Sequence, residues 1–104
     1  MKKYNVILET TAALDLRGIL DYITDILKQP ETAERIFISF EEKVMALNSM
    51  PARHSIVRVE PYATLGVRMM PMENYCAFYV IDEVKLEVHV LRILYNRREW
   101  HNFL

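Results

Sequence analysis

The chain predicts an α+β domain in which an N-terminal helical hairpin packs on one face of a small, mainly antiparallel sheet. Three observations carry this reading. Two stretches in the first half repeat their apolar residues with the period of a helix. Three runs in the second half are short, rich in Val, Ile, Leu and aromatic residues, and punctuated by turn residues. At 104 residues the chain has the size of one domain, ~100–150 residues, so residues 1–104 are taken as a single unit. The order is strand, two helices, three strands and a short final helix (β-α-α-β-β-β plus a helical end), which is an α+β layer arrangement.

Each element has a local reason. Residues 4–8 contain Val6 and Ile7 and read as a strand. Thr10 and Thr11 then stand where a side-chain oxygen accepts a hydrogen bond from the first turn of a helix. From Ala12 onward, Leu16, Ile19, Leu20, Ile23 and Leu27 draw one helical face, and Asp15, Arg17, Asp21, Thr24, Asp25 and Lys28 occupy the others. Pro30 ends this helix, because the residue before a proline is pushed out of helical geometry. Glu31 begins a second helix with an acidic first turn, which suits the positive end of the dipole. Its apolar face is Ala33, Ile36, Phe37, Phe40, Val44 and Leu47, and Met50-Pro51 stops it. So short a connection folds the two helices into an antiparallel hairpin.

Residues 52–64 show no sustained period and contain Pro61, which predicts an irregular connection. Residues 65–70 read as a strand stopped by Pro71. Glu73-Asn74 is a turn into a strand over 75–81, and Asp82-Glu83 is a second turn into the longest strand, 86–95. The last two strands are close enough to form a hairpin, hence the mainly antiparallel sheet. Asn96 is placed to cap a short final helix over about residues 97–103. One position breaks the alternation. Leu86, Val88 and Val90 form an apolar stripe, yet Arg92 falls on it. Either a bulge shifts the phase near Leu91, or Arg92 points from the core face at the sheet's end into a cleft. A half-buried arginine needs a partner, and an ion pair to a helix carboxylate such as Asp15 or Asp21 is the rival to a role in binding.

Composition narrows the function classes. Thirteen Lys and Arg face 14 Asp and Glu for a net charge of -1, and 52% of residues are hydrophobic. That excludes a disordered, highly charged segment and argues against binding nucleic acid by overall charge. No apolar run approaches the ~20 residues of a membrane-spanning helix, and the stretch Val6-Ile7-Leu8 is too short for a secretory signal. One cysteine rules out an internal disulfide and fits a reducing cytosol. The cations after Ser49 are nearly all arginines, whose planar fork suits phosphate or carboxylate, so this half is the expected contact surface. His54, His89 and His101 share no ligand spacing with each other or with Cys76, which argues against a metal site. With only Gly18 and Gly66, no glycine-rich phosphate loop is possible. No cofactor is expected.

Two segments carry a resemblance. Thr11-Ala12-Ala13-Leu14-Asp15-Leu16 through Ile19, Asp21-Tyr22-Ile23, Pro30 and Ala33-Glu34-Arg35 is similar to the helical hairpin of the RelE/ParE superfamily, the toxins of bacterial type II toxin–antitoxin systems. Asn74-Tyr75 entering Phe78-Tyr79 and Ile81-Asp82, then Val90-Leu91-Arg92-Ile93-Leu94-Tyr95-Asn96-Arg97-Arg98-Glu99-Trp100, resembles the family's last two strands and is nearest to ParE-like members. The resemblance implies a cytoplasmic bacterial toxin, associated with plasmid stabilisation, that is neutralised by a cognate antitoxin. ParE-like members inhibit DNA gyrase. RelE-like members are metal-independent ribonucleases that cut messenger RNA, often on the ribosome.

The residues favour the first kind. Cleaving RNA requires a proton to leave the 2′-hydroxyl, one to reach the leaving oxygen, and cations to hold the charged phosphorane. RelE-like enzymes place an arginine directly after the tyrosine that starts the middle strand, where this chain has Cys76, and lysines or a glutamate on the preceding strand, where it has Val67 and Met69. No catalytic residue is therefore expected. A rearranged nuclease site would use Arg68, Arg92, Tyr95, Arg97 and Arg98, with Tyr95 as general acid; the rival account of Tyr95 is a strand-end tyrosine packed on the last helix. Cys76 lacks a neighbouring base and reads as a small strand residue rather than a nucleophile. For partner binding, Met69 and Met70 fall on opposite strand faces, so one of them is offered, with Met72, to an adaptable surface. With Arg92, Arg97 and Arg98 they are the candidate partner residues, for an antitoxin segment lying across the sheet or the helical hairpin. A degenerate toxin fold that only binds an antitoxin-like partner is the remaining alternative.

Overall fold

The structure is a computed structural model and describes residues 2–96 and 100–104. The elements are β1 (Asn5–Leu8), α1 (Thr10–Asp21) running into a π-helical turn (Tyr22–Ile26), α2 (Pro30–Met45), β2 (Arg68–Met72), β3 (Tyr75–Asp82) and β4 (Glu87–Tyr95). Short 3-10 turns occupy Ala46–Asn48, Pro51–Arg53 and Trp100–Asn102. The four strands form one sheet in the order β1-β4-β3-β2, with β1 parallel to β4 and the other pairs antiparallel. The expected α+β layout is the observed one.

The helices cover one face of the sheet. Leu16 of α1 and Phe40 and Val44 of α2 pack with Leu47 onto Met70, Tyr79, Val88, Val90 and Ile93. The other face is also covered: Val57, Val67, Cys76, Phe78 and Leu94 form a second cluster, with Tyr62, Trp100 and Leu104 packed against it. The residues read as an irregular connection, together with the C-terminal turn, thus close the sheet from behind. Phe37, assigned from periodicity to the core face of α2, is 40% exposed.

Three local readings need correction. Thr10 and Thr11 lie inside α1; its N-cap is Glu9, whose side chain makes no capping bond, because it is turned towards His89 on β4. Pro30 does not end the first helix. The helix closes earlier, with the Leu27 N–H on the Tyr22 carbonyl and Lys28 in a left-handed conformation (φ 58°), and Pro30 is the first residue of α2, where no N–H is needed. Nor does Pro71 stop a strand: it sits within β2. The Met69 N–H points outward to the Ser55 carbonyl, and Pro71, two residues on, faces the same way along a sheet edge, where its missing N–H removes no ladder bond. Of the expected final helix, Arg97, Arg98 and Glu99 lie outside the described residues, and what is described is the 3-10 turn over Trp100–Asn102.

Candidate functional site

Arg92 is explained by a bulge. The β3–β4 register passes from Phe78↔Arg92 to Tyr79↔Val90, so Leu91 is an extra residue on β4, and the stripe facing the helices continues from Val90 to Ile93. The bulge falls where β1 gives out, since its last pair is Leu8↔Val90 and the Glu9 N–H bonds the Val90 carbonyl at 3.0 Å. From that point α1 takes over the edge of β4. The Thr11 hydroxyl donates to the Leu91 carbonyl at 2.8 Å. The Asp15 carboxylate accepts from the Ile93 N–H at 3.0 Å, from Arg92 Nε at 2.7 Å and from Arg92 Nη2 at 3.0 Å. Arg92 Nη1 donates to the Phe103 carbonyl. The bond to Asp15 raises the Arg92 pKa further. This guanidinium ties α1, β4 and the C-terminal turn together.

The other sequence-predicted residues are scattered. Arg68 donates to the carbonyls of His54 (2.7 Å) and Ala52 (3.3 Å). Beside it the buried Tyr79 hydroxyl donates to the Pro51 carbonyl at 2.5 Å, and burial pushes this phenol up to about 12. Both side chains anchor the segment that leaves the hairpin. His54 stands edge-on to Tyr79 at 6.3 Å, and burial, with Arg53 and Lys43 nearby, lowers its pKa. Arg68 and Arg92 share no partner among the described residues, and β3 runs between their strands. Cys76 is buried, which pushes its thiol up. Arg97 and Arg98 lie outside the described residues.

Met69, Met70 and Met72 form little open surface. Met69 and Met70 do face opposite ways, but Met70 and Met72 are buried under the helices, while Met69 is half-buried against the second cluster. Met70 and Met72 are core residues because β2 lies directly beneath α2. Among the described residues, no group of three or more His, Cys, Asp or Glu side chains is gathered as a metal ion would require.

A surface the sequence reading missed lies at the other end of α1. Leu14, Gly18 and Tyr22, four residues apart, form an outward row, with Leu14 62% and Tyr22 53% exposed. With Leu27, Tyr75 and Tyr95 they line an open groove of about 620 Å³ between α1 and the end of β4. Tyr95 is 56% exposed and meets its cross-strand partner Tyr75 edge-on at 5.7 Å. Burial raises the Tyr75 pKa, with Tyr95, Glu73 and Tyr22 adding to it. The available signal was that Leu14 and Tyr22 are large apolar residues off the core face of the helix.

Comparison with known proteins agrees with this geometry. Residues 6–100 match the family described as the ParE toxin of the type II toxin–antitoxin system parDE. The fold is similar to a chain of the chromosomal ParDE toxin–antitoxin system from P. aeruginosa, with a TM-score of 0.73 and 24% identity over 91% of this chain and 98% of that one. It is also similar to a chain of the RelBE2 toxin–antitoxin complex from Mycobacterium tuberculosis, with a TM-score of 0.66 and 26% identity over 90% of this chain and 99% of that one. No curated protein matches the chain.

Proposed function

From the premise that the chain belongs to the ParE toxin family of type II toxin–antitoxin systems, we propose that it arrests bacterial growth by binding DNA gyrase in the cytoplasm and that a cognate antitoxin neutralises it. The observation that carries a binding role over a catalytic one is the fate of the arginines. Phosphoryl chemistry needs cations free to meet developing charge. Arg92 is spent on Asp15 and the C-terminal turn, and Arg68 on the carbonyls of residues 52 and 54. At the position where a RelE-like enzyme carries an arginine, Cys76 is buried.

The RelE-like reading keeps one favourable observation: Tyr95 is exposed at the end of β4, directly before Asn96, Arg97 and Arg98. The test is induced expression with and without the neighbouring small gene, followed by plasmid supercoiling and messenger-RNA integrity. Arrest with altered supercoiling and intact message is the expected result. Arrest with cleaved message would replace the gyrase reading by the ribonuclease one, and absence of arrest would leave a fold that only binds its partner.

A further inference from the structure

The two edges of the sheet are defended unequally. On the β2 side the Ser55 carbonyl takes the Met69 N–H, Ile56 forms a bridge with Arg68, and Pro71 sits within the edge strand. An edge covered by a loop and interrupted by proline does not recruit another chain. The β1 edge has such cover only at Tyr4, whose N–H bonds the Asn48 carbonyl. The Asn5 and Glu9 N–H groups point inward, to the Leu86 and Val90 carbonyls. Alternation along the strand therefore turns the N–H and C=O groups of Val6 and Leu8 outward, and no described residue bonds them.

This open edge runs into an apolar groove. Leu8, Ala13, Leu16, Leu20 and Phe37 line a space of about 270 Å³ where α1 meets α2, so Leu8 belongs to both. Arg17 and Asp21 complete the rim, one helical turn apart, 3.9 Å from each other and largely in solvent. So exposed a pair is weakly held, and its charges are able to exchange partners.

Both features are their own complement. Two β1 strands laid antiparallel about a two-fold axis at Ile7 set Val6 opposite Leu8 of the second copy, and Leu8 opposite its Val6. Each of these pairs exchanges both of its N–H···O=C bonds. Pairing about Val6 instead would drive Leu8 against the Asn48 backbone that Tyr4 already holds. Because α1 follows β1 after Glu9 alone, the same axis lays the two α1 helices side by side in opposite directions, Arg17 of each facing Asp21 of the other.

We propose that the chain self-associates through this flank as a two-fold dimer, its β1 strands joined into one continuous sheet and Leu8, Leu20 and Phe37 closed against their counterparts. A contact of this symmetry ends at two copies. The tyrosine-lined groove uses another face of α1 and stays open in the dimer, so the proposal stands apart from the functional reading above.

The test is sedimentation of the purified full-length chain alone over a dilution series, with hydrogen exchange at β1. The wild-type chain is expected at twice the mass of one copy, with the Val6 and Leu8 amides protected and losing that protection on dilution. Val6→Pro removes an N–H that no bond within the chain uses and sets a ring in the seam, so it should weaken association at least ~100-fold, with circular dichroism showing that it folds. Arg17→Asp opposes like charges across the axis and should weaken association roughly tenfold. Adding Asp21→Arg restores the complement with its signs exchanged and should return association to within about threefold of the wild-type value. Should Val6→Pro not fold, the charge reversal and its restoration decide alone. A wild-type chain that keeps the mass of one copy at about 100 μM overturns the proposal. So does a dimer that the folded variants leave within about twofold of its original affinity, since association then uses a different face.

Discussion

Asp15 and Arg92 are joined by two hydrogen bonds, and the same carboxylate also accepts from the Ile93 backbone. One side chain of α1 therefore both neutralises the cation that a bulge displaces and caps the strand edge that the bulge exposes. Both partners are largely covered, Asp15 at 17% and Arg92 at 28% side-chain exposure, so removing the anion strands the guanidinium charge even where an amide oxygen still accepts the Ile93 N–H. Asp15→Asn should lower stability by about 2–3 kcal/mol, read as a shift in guanidinium midpoint without change in slope. Adding Arg92→Met should recover part of that loss. A midpoint unchanged by Asp15→Asn would mean that the pair contributes nothing.

His89 gives a pH-dependent counterpart at the β1–α1 junction. Its Nδ1 meets Glu9 at 2.7 Å and its Nε2 meets Glu87 at 2.9 Å. The bond to Glu9 is the main cause that raises its pKa, with burial opposing and Glu87 adding. A histidine whose native pKa is raised stabilises the fold fully below the unfolded value of about 6.5, and that contribution is lost as the pH climbs through the raised native value. The stability gap between wild type and His89→Gln should therefore be widest below the unfolded value and narrow as the pH rises above it through the raised native one. A gap independent of pH would show that the imidazole stays neutral.

Tyr79 predicts an alkaline effect. Its hydroxyl is buried on the Pro51 carbonyl, and Tyr79→Phe should lower stability by about 1–2 kcal/mol by orphaning that acceptor. Because burial pushes this phenol up to about 12, the folded state resists its ionisation, and stability falls as the pH rises from about 10 towards that value. The Phe variant should lose that part of the slope. An ultraviolet titration in which every tyrosine ionises near about pH 10 in the folded protein contradicts the buried geometry.

Gly18 should be replaceable at a gain. With open space around its Cβ position, Gly18→Ala is expected to stabilise the isolated chain by up to about 1 kcal/mol through helix propensity, seen as a raised Tm. A lowered Tm would mean that the helix itself needs glycine there.

How much of this was legible follows from which signals are local. The two helical faces and the three later strands were readable because periodicity is a property of adjacent residues. The disturbance at Arg92 was readable as well, as a broken alternation with Asp15 among its two candidate partners, though only the register could choose the bulge. Pro71 misled because a proline stops a central strand and not an edge one, and edge status depends on what pairs with the strand. Thr10 and Thr11 misled because Glu9, called away by His89 eighty residues on, set the helix start. Met70 and Met72 looked available only until α2 was laid across them. The tyrosine groove was invisible as a unit, since Tyr22, Tyr75 and Tyr95 come from three elements and meet only when α1 lies beside the end of β4.

The parallel pairing of β1 with β4 has a consequence for the order of events during synthesis. Asn5 finds its partner in Glu87, and Leu8 in Val90, so β1 has no place in the sheet until β4, the last of the four strands, has left the ribosome. Until then the hairpin's apolar face, Leu16 and Phe40 among it, has only part of its sheet to rest on, and contacts this distant in sequence form slowly. The nascent chain therefore passes from incomplete to complete in one late step rather than maturing piece by piece.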